Sequence, residues 1–311
     1  MKTTTSTATP HVTRKGLCLV ATALCSAALL PMAAKAAWPY DTIDKVDVDP
    51  METLVSNWRP APFDRKAKVL LFSECFGYNH HGGRCYGNHL FRRAGEVYGT
   101  WEVCQETNPA RLGDAAYLAA FDALILNNST RITETNAPGV TVALTNFLAQ
   151  GKGIAIFHAG LDSFKDSEVL QKTFGGFFKG HPWHEDGTWK FKVEEMNHPL
   201  VAPFGELGAT FYKADEIYQF LRHFDRASCK VLISLDLSDP VTKRAEMWWG
   251  KHFGPGSTRA DHDYGVSWIK KVGAGRVFYT SFGHDRGAYL DAPRAYHMLL
   301  GVQYALGDVA Y

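Results

Sequence analysis

The stretch Gly151-Lys-Gly-Ile-Ala-Ile-Phe-His158 decides the fold prediction, because it joins a helix end to a buried strand and then to a polar side chain. Residues 140–150 before it have the apolar period of an amphipathic helix, and Gly151 stands where a C-cap glycine belongs. The run 153–157 is short, continuous and apolar, as expected of a strand buried in a parallel sheet. His158 is therefore predicted at the carboxyl end of a central strand.

The same alternation of apolar runs and amphipathic segments extends over the first half of the chain. Strands are predicted at 68–73, 101–104, 123–126 and 153–157, and helices at 89–98, 116–120 and 140–150. Strands that alternate with helices indicate an α/β fold with a doubly wound parallel sheet. We expect 68–73, 123–126 and 153–157 to be parallel neighbours, because crossover connections place such strands side by side.

The second half of the chain has closely spaced apolar runs instead. Candidate strands are 189–193, 209–212, 216–220, 230–235, 265–269 and 276–280. This spacing predicts added β-hairpins and extensions of the sheet. A closing helix is expected at 293–306, with Asp291 as its N-cap and Pro293 in its first turn. The segment 250–265 is predicted to be a surface excursion that could serve as a lid.

The first 36 residues have the order of features of a secretory signal peptide. A basic start with Lys2, Arg14 and Lys15 precedes the apolar run 17–32, and Ala34-Lys35-Ala36 fits a small-x-small cleavage site. The apolar run is short for a hydrocarbon core of about 30 Å. We therefore expect cleavage near Ala36, no stable membrane anchor and an exported, periplasmic protein. Sec and Tat export both stay open.

Composition limits the class of protein and of partner. The 311 residues are 46% hydrophobic and include 33 basic and 32 acidic side chains. These values exclude disorder and give no electrostatic case for nucleic acid. Removal of 1–36 would change the net charge from +1 to −3, because that segment has four basic residues and no acidic one. We divide the remaining chain into a Pro- and Asp-rich N-terminal arm at 37–66 and one domain at 67–308.

Histidines in glycine-containing loops are the main candidates for chemistry. His80, His158, His181 and His284 each follow a predicted strand or stand close to glycine. Glycine lets the backbone approach a ligand closely, and histidine can act as an acid, a base or a metal ligand near neutral pH. Ligands of doubly wound sheets bind beyond the carboxyl ends of the strands. We predict that these histidines converge on one crevice, while a satisfied surface or core histidine is the alternative for each.

Carboxylates and a tyrosine accompany these histidines. Asp215 and Glu216 precede Tyr218, and in an extended chain Glu216 and Tyr218 face the same side. Asp162 stands four residues after His158. These groups can orient an imidazole, coordinate a cation or bind sugar hydroxyls, and capping of backbone N–H groups is the alternative for Asp162. The chain has no His-Glu-x-x-His, no Gly-x-Ser-x-Gly and no Walker-type glycine loop.

Two further patterns leave their interpretation open. The segment His181-x-x-His184-Glu185-Asp186 has liganding residue types, but its spacing matches no strong zinc signature. Cys75 and Cys85 lie ten positions apart in one predicted loop, and an exported protein meets an oxidising compartment. A bridge between these cysteines and a pair of free thiols are equally open, because connectivity cannot be deduced from sequence.

Several motifs occur together in a specific order. They are Gly77-Tyr-Asn-His80, the segment 151–162 with His158 and Asp162, Gly175-Gly-Phe-Phe-Lys-Gly-His181-Pro182, Asn197-His198-Pro199-Leu200, Asp215-Glu216-Ile217-Tyr218 and Gly275-Arg-Val-Phe-Tyr-Thr-Ser-Phe-Gly283-His284. In this order the chain resembles the trehalose-utilisation ThuA-like family over about residues 68–307. The joint pattern is specific, although no single motif is.

The resemblance implies a class I glutamine amidotransferase-like fold, which is a flavodoxin-like α/β sandwich with helices on both faces of the sheet. Amidotransferases of this fold carry a nucleophilic cysteine at a sharp strand-to-helix turn. The matching strand exit here carries Phe157-His158-Ala159 and no cysteine, so glutaminase chemistry is not expected. Cys75 follows the first strand, where a reactive thiolate and a disulfide with Cys85 are competing interpretations.

The resemblance also links the chain to disaccharide use and to pathways of oxidised, 3-keto glycosides. We therefore expect an exported enzyme of carbohydrate metabolism that acts on a disaccharide, glycoside or keto-sugar derivative by His/carboxylate acid–base chemistry. The expected catalytic residues are His80, His158, His181, Glu216 and His284. The expected substrate-binding residues are Tyr78, Asp162, Asp215 and Tyr218.

Two features of this expectation stay open. Proton transfer beside a carbonyl needs a base and an electrophile, which His with Glu, or His with a divalent metal, would supply. The alternative function is a non-catalytic carbohydrate-binding protein that stacks its small-molecule sugar ligand on tryptophans. Its candidate stacking residues are Trp183, Trp189, Trp248 and Trp249. The loops 80–85 and 250–265 depart from the simplest family pattern, and both could alter substrate choice.

Overall fold

A computed structural model describes residues 40–311 of the chain. The predicted signal peptide at 1–36 and the start of the arm lie outside the described residues. The strands are β1 Ala67–Phe72, β2 Trp101–Glu106, β3 Ala123–Asn127, β4 Gly153–Phe157, β5 Thr188–Val193, β6 Thr210–Ala214, β7 Lys230–Leu235, β8 Gly265–Val272 and β9 Gly275–Thr280. The helices are α1 Lys45–Asn57, α2 His81–Tyr98, α3 Ala115–Leu118, α4 Val140–Ala149, α5 Glu168–Phe174, α6 Pro240–Phe253, α7 Arg286–Tyr289 and α8 Ala292–Leu306. Short 3₁₀ helices cover Pro109–Gly113, His158–Leu161 and Pro199–Leu207.

All nine strands form one sheet in the order β2-β1-β3-β4-β9-β8-β7-β5-β6. In the first half of this order, from β2 to β9, all neighbouring strands are parallel. In the second half, from β9 to β6, all neighbouring strands are antiparallel. The parallel half has the order of a flavodoxin-like sheet, and the predicted neighbours β1, β3 and β4 are confirmed. The antiparallel half confirms the added hairpins.

The core lies on both faces of the sheet, as the continuous apolar runs of the strands predict. In β1, Val69 and Leu71 belong to one buried cluster and Leu70 and Phe72 to the other, because successive side chains point to opposite faces. Gly151 ends α4 with φ of +85°, as its C-cap position predicts. The N-cap prediction for α8 is also confirmed, since the Asp291 side chain accepts a hydrogen bond from the Arg294 N–H.

Three local predictions were wrong. Residues 216–220 are not a strand: Ile217 forms one isolated bridge with Trp183, and the Tyr218 N–H donates to Ser281 Oγ instead of to a ladder. Helix α2 begins at His81 rather than at residue 89, so half of the predicted loop 74–87 is helical. Helix α6 continues to Phe253, so the surface excursion begins only after that residue.

Part of the N-terminal arm is helical, which the sequence analysis did not predict. Met51, Leu54 and Val55 bury one side of α1, and α1 packs against α2. The Arg93 guanidinium donates to Glu52 across this contact at 2.7 Å. Over residues 40–311, no helix is long and apolar enough to span a membrane.

Candidate functional site

Loops from separate parts of the sheet bring three imidazoles together at the carboxyl ends of the parallel strands. His80 lies in the β1–α2 loop, His158 directly follows β4, and His284 follows β9. The ring centroids of His80 and His158 are 4.9 Å apart, those of His80 and His284 are 5.1 Å apart, and those of His158 and His284 are 5.3 Å apart. The structure therefore brings these three residues together, as predicted.

His158 occupies a sharp turn between β4 and the following 3₁₀ helix. Its φ is +45°, a left-handed conformation that costs a residue with a Cβ of the order of 1–3 kcal/mol. Two residues on, a Cβ at Gly160 would lie 2.5 Å from Ile156 Cγ2, so the turn needs glycine there. The His158 Nδ1–H donates to the Ser281 carbonyl at 2.7 Å. This bond fixes the ring and directs Nε2 toward the other imidazoles.

Glu216 joins this buried group to a histidine at the pocket rim. Its Oε2 is 3.4 Å from His158 Nε2, and its Oε1 is 3.1 Å from His181 Nδ1. The His158 side chain is fully buried, whereas that of His181 is 34% exposed. Tyr218 packs on His158 with ring centroids 4.4 Å apart, and its hydroxyl is 3.4 Å from His80 Nε2. A single carboxylate therefore contacts one buried and one accessible imidazole.

Burial controls the protonation states of this group. Burial, together with the neighbouring His158 and His284, lowers the pKa of His80 to about 2. Burial and His158 also lower the pKa of His284. Burial opposes ionisation of Glu216, but the adjacent His158 imidazole, together with those of His181 and His284, holds its pKa below the ordinary 4.5. At neutral pH, Glu216 is thus a carboxylate facing neutral imidazoles of His80 and His284.

The pocket that these residues line has a volume of about 290 Å³. Its lining includes Tyr78, His80, Arg131, Asp162, Phe178, His181, His184, Glu185, Glu216, Tyr218 and His284. Tyr78 is an exposed rim residue whose ring lies 4.8 Å from that of His80. Asp162 lines the pocket and forms an ion pair with Lys165. The positions of Tyr78, Asp162 and Tyr218 are compatible with the substrate contacts expected of them.

The Asp215 carboxylate is bound mainly by groups of the protein itself. Its carboxylate is buried and accepts hydrogen bonds from the backbone N–H groups of Gly283 and His284 at 3.1 and 3.2 Å. It also pairs with the buried Arg294 at 3.2 Å. These bonds satisfy the carboxylate and tie the loop that carries Glu216 to the loop that carries His284. Asp215 also lines a cavity with Tyr78, His80 and His284, and its expected part in substrate binding stays a prediction.

The sequence model of the ThuA family, which is described as trehalose utilisation, matches residues 68–305. The chain belongs to the ThuA family. A solved ThuA-like protein from Bacteroides uniformis matches with a TM-score of 0.58 and 18% identity, covering 80% of this chain and 95% of that chain. One from Parabacteroides merdae matches with a TM-score of 0.56 and 14% identity, covering 79% and 92%. These two likenesses show the fold, and no curated protein matches this ThuA chain.

Four cysteines of this ThuA chain lie in the described residues. Cys75, Cys85, Cys104 and Cys229 are free thiols, so the structure does not contain the bridge between Cys75 and Cys85. Burial raises the pKa of Cys75 and of Cys85, which disfavours a thiolate at either position. The sharp turn after β4 carries His158 instead of the amidotransferase cysteine.

Sequence reasoning missed several pocket residues. Arg131 and Phe178 follow no motif that would single them out, whereas His184 and Glu185 stand in the liganding segment 181–186. His181 and His184 also line an apolar groove of about 550 Å³ beside the pocket. Of the four candidate stacking tryptophans, Trp183 is buried in the core, whereas the largely buried Trp189 lines this groove together with Trp248 and Trp249.

Two groups among the described residues have enough donors in reach to hold a metal ion. The first consists of His80, His158, Glu216 and His284, and the second consists of His181, His184 and Glu216. In each group the donor atoms lie within 4.8 Å of one another. The first group is more buried than the second, and Glu216 is common to both.

Proposed function

We propose that this ThuA-family protein is an exported enzyme of carbohydrate metabolism that acts on a disaccharide, glycoside or keto-sugar derivative. Its chemistry is proton transfer by histidine and carboxylate at the pocket beyond β1, β4 and β9. The observation that carries the proposal is the placement of Glu216 between His158 and His181. The family description, trehalose utilisation, supports a sugar as the substrate class.

His181 is the side chain in this arrangement best placed to exchange a proton with a substrate. It is accessible from the pocket, and its Nδ1 is held 3.1 Å from the Glu216 carboxylate. A carboxylate in this position can orient the imidazole toward a substrate, as general acid–base catalysis requires. The other oxygen of the same carboxylate lies 3.4 Å from Nε2 of the buried His158. We therefore assign the proton transfer to the pair of His181 and Glu216.

The remaining pocket residues suit a polyhydroxylated ligand. The neutral imidazoles of His80 and His284, the Tyr78 hydroxyl, Asp162 and Arg131 offer both donors and acceptors. The adjoining groove adds the flat faces of Trp248 and Trp249, and His181 lies at the boundary between pocket and groove. We assign one sugar ring to the pocket and the second half of a disaccharide or glycoside to the groove.

A non-catalytic carbohydrate-binding protein is the second candidate. The observation that favours it is the exposed face of Trp248, because aromatic side chains exposed beside a polar pocket are a common platform for ligands with apolar faces. This alternative predicts saturable sugar binding without turnover. It also predicts that Trp248 affects binding more than Glu216 does.

The deciding experiment is to incubate the purified protein with a panel of 3-keto and ordinary disaccharides, with and without a chelator, and to follow products by mass spectrometry. We expect time-dependent conversion of at least one sugar, with a mass change that identifies the reaction. A matched sample of the Glu216→Gln variant separates enzyme activity from contaminating hydrolases. Saturable binding of a sugar without any product would contradict the enzyme and favour the binding protein.

A further inference from the structure

We propose that His80, His158, His284 and Glu216 form a binding site for a single divalent transition-metal ion. One donor atom of each residue lies within 4.8 Å of the others. Metal–ligand bonds of about 2.0–2.2 Å span donors up to about 4.4 Å apart, so small side-chain movements close this set round an ion. Four different loops supply the donors, and β1, β4 and β9 anchor three of them.

The hydrogen bonding of His158 is that of a metal ligand. A backbone carbonyl can only accept, so the 2.7 Å bond to the Ser281 oxygen fixes the proton on Nδ1. Nε2 is then left with a lone pair, and within residues 40–311 this buried nitrogen has no hydrogen-bond partner. Histidines that bind metal commonly donate the other ring N–H to a carbonyl in this way, which sets both tautomer and ring orientation.

His80 and His284 present the same problem of unsatisfied nitrogen atoms. Nδ1 of each is buried and lacks a hydrogen-bond partner among the described residues. A buried polar atom left unpaired is costly, so unpaired nitrogens on three adjoining rings need an explanation. A cation bound by the three rings would supply a partner for all of them together. Protein hydrogen bonds would have to satisfy them one at a time.

The donor set also indicates the class of metal. Three imidazoles and one carboxylate suit Zn²⁺, Co²⁺, Fe²⁺ or Mn²⁺, whereas Ca²⁺ and Mg²⁺ prefer all-oxygen sites. Glu216 would bind the ion through the oxygen that faces His158 and keep its other oxygen for His181. In the proposed sugar chemistry, which this inference deepens, such an ion polarises a carbonyl or hydroxyl oxygen.

Metal binding to the purified full chain tests this site without any assay of turnover. After treatment with a chelator and desalting, the protein is titrated with Zn²⁺ by calorimetry and with Co²⁺ by visible absorption. We expect one ion per chain and ligand-field bands for bound Co²⁺. The half-buried His284 gives the main variant, His284→Ala, and Glu216→Gln gives a second one that conserves shape. Each should lose at least the ~10–100-fold in affinity that loss of an outer hydrogen-bond partner costs.

His184→Ala is the matched control, because His184 belongs only to the outer group that shares Glu216. It should bind the ion like the unaltered chain. Absence of stoichiometric binding in the unaltered protein, or unchanged affinity in a folded His284→Ala variant, would overturn the proposal. Loss of binding in His184→Ala alone would also overturn it and place the ion in the outer group. A metal-binding protein that converts no sugar would contradict only the proposed function.

Discussion

Glu216 is the residue on which the proposed proton transfer depends most. Its carboxylate contacts His158 and His181 and is ionised at neutral pH. Glu216→Gln keeps the shape but removes the charge, so we expect turnover on the substrate found in the panel to fall by ~10²–10⁴-fold. Steady-state kinetics measures the change. Glu185→Gln is the control, because Glu185 lines the same pocket but forms no ion pair with His158 or His181. Equal turnover of the two variants would refute the assignment of Glu216.

The buried His297 should make the free energy of unfolding depend on pH. His297 is buried on α8, with Nδ1 2.6 Å from the Leu200 carbonyl and Nε2 2.8 Å from Ser267 Oγ. Burial lowers its pKa to about 4. Between pH 6.5 and 4 the unfolded chain therefore binds a proton that the folded chain does not. The free energy of unfolding should fall by up to about 1.4 kcal/mol for each unit of pH lost in this window.

Urea unfolding at pH 7, 6 and 5 measures this dependence. His297→Gln removes the titrating group, so the variant should be less stable at pH 7 but lose less stability on acidification. His184→Gln is the matched control at a surface histidine and should keep the slope of the unaltered chain. The same slope for the His297→Gln variant and the unaltered chain would show that His297 does not carry the effect.

At the scale of elements, α6 carries the aromatic face of the groove. Trp248 is 53% exposed on this helix and lines the groove together with Trp249 and Phe253. Stacking on an aromatic face is worth ~0.5–1.5 kcal/mol. We therefore expect Trp248→Ala to raise KM for a disaccharide about threefold to tenfold with little change in kcat. Met247 is exposed on the same helix outside the groove, so Met247→Ala should leave KM and kcat unaltered. A fall in kcat alone for Trp248→Ala would contradict a sugar subsite in the groove.

Helix α2 shows why the start of one element was predicted wrongly. Gly82, Gly83 and Gly87 are typical of a loop, so the sequence predicts a helix only from residue 89. The structure uses two of these glycines for close packing: a Cβ at Gly83 would lie 2.4 Å from the Gly283 carbonyl, and one at Gly87 would lie 2.6 Å from Asn127 Nδ2. Packing against other parts of the fold therefore overrides the low helix propensity of these glycines. The contacts form only in the folded chain, so one sequence alone does not reveal them.

At the scale of the whole molecule, the parallel half of the sheet was predictable because each strand is buried on both faces and gives a continuous apolar run. The segment 216–220 was predicted to be a strand because its side chains alternate as they do in a strand. Its backbone is held by Trp183, Gly180 and Ser281 instead of by a neighbouring strand. Such an extended loop can place Glu216 and Tyr218 over the strand ends, where a regular strand would stay in the sheet.

The site was predictable to the extent that it follows the topology. The rule that ligands bind at the carboxyl ends of parallel strands selected His80 and His158, and both lie there. The separate roles of Asp215 and Glu216 were not predictable, because adjacent carboxylates in one motif differ only in what they face after folding. Asp215 meets the Gly283 and His284 amides, whereas Glu216 meets imidazoles.

Export of the whole chain is the remaining prediction. The order of basic start, apolar run and Ala34-Lys35-Ala36 predicts cleavage after Ala36. When the full sequence is expressed in a Gram-negative host, amino-terminal sequencing of the periplasmic fraction should give a chain that begins near Ala37. Leu24→Arg is the control, because a charge in the apolar run should block export and retain the longer chain. Intact Met1 on a cytosolic form of the unaltered protein would contradict export and move the proposed sugar substrate into the cytoplasm.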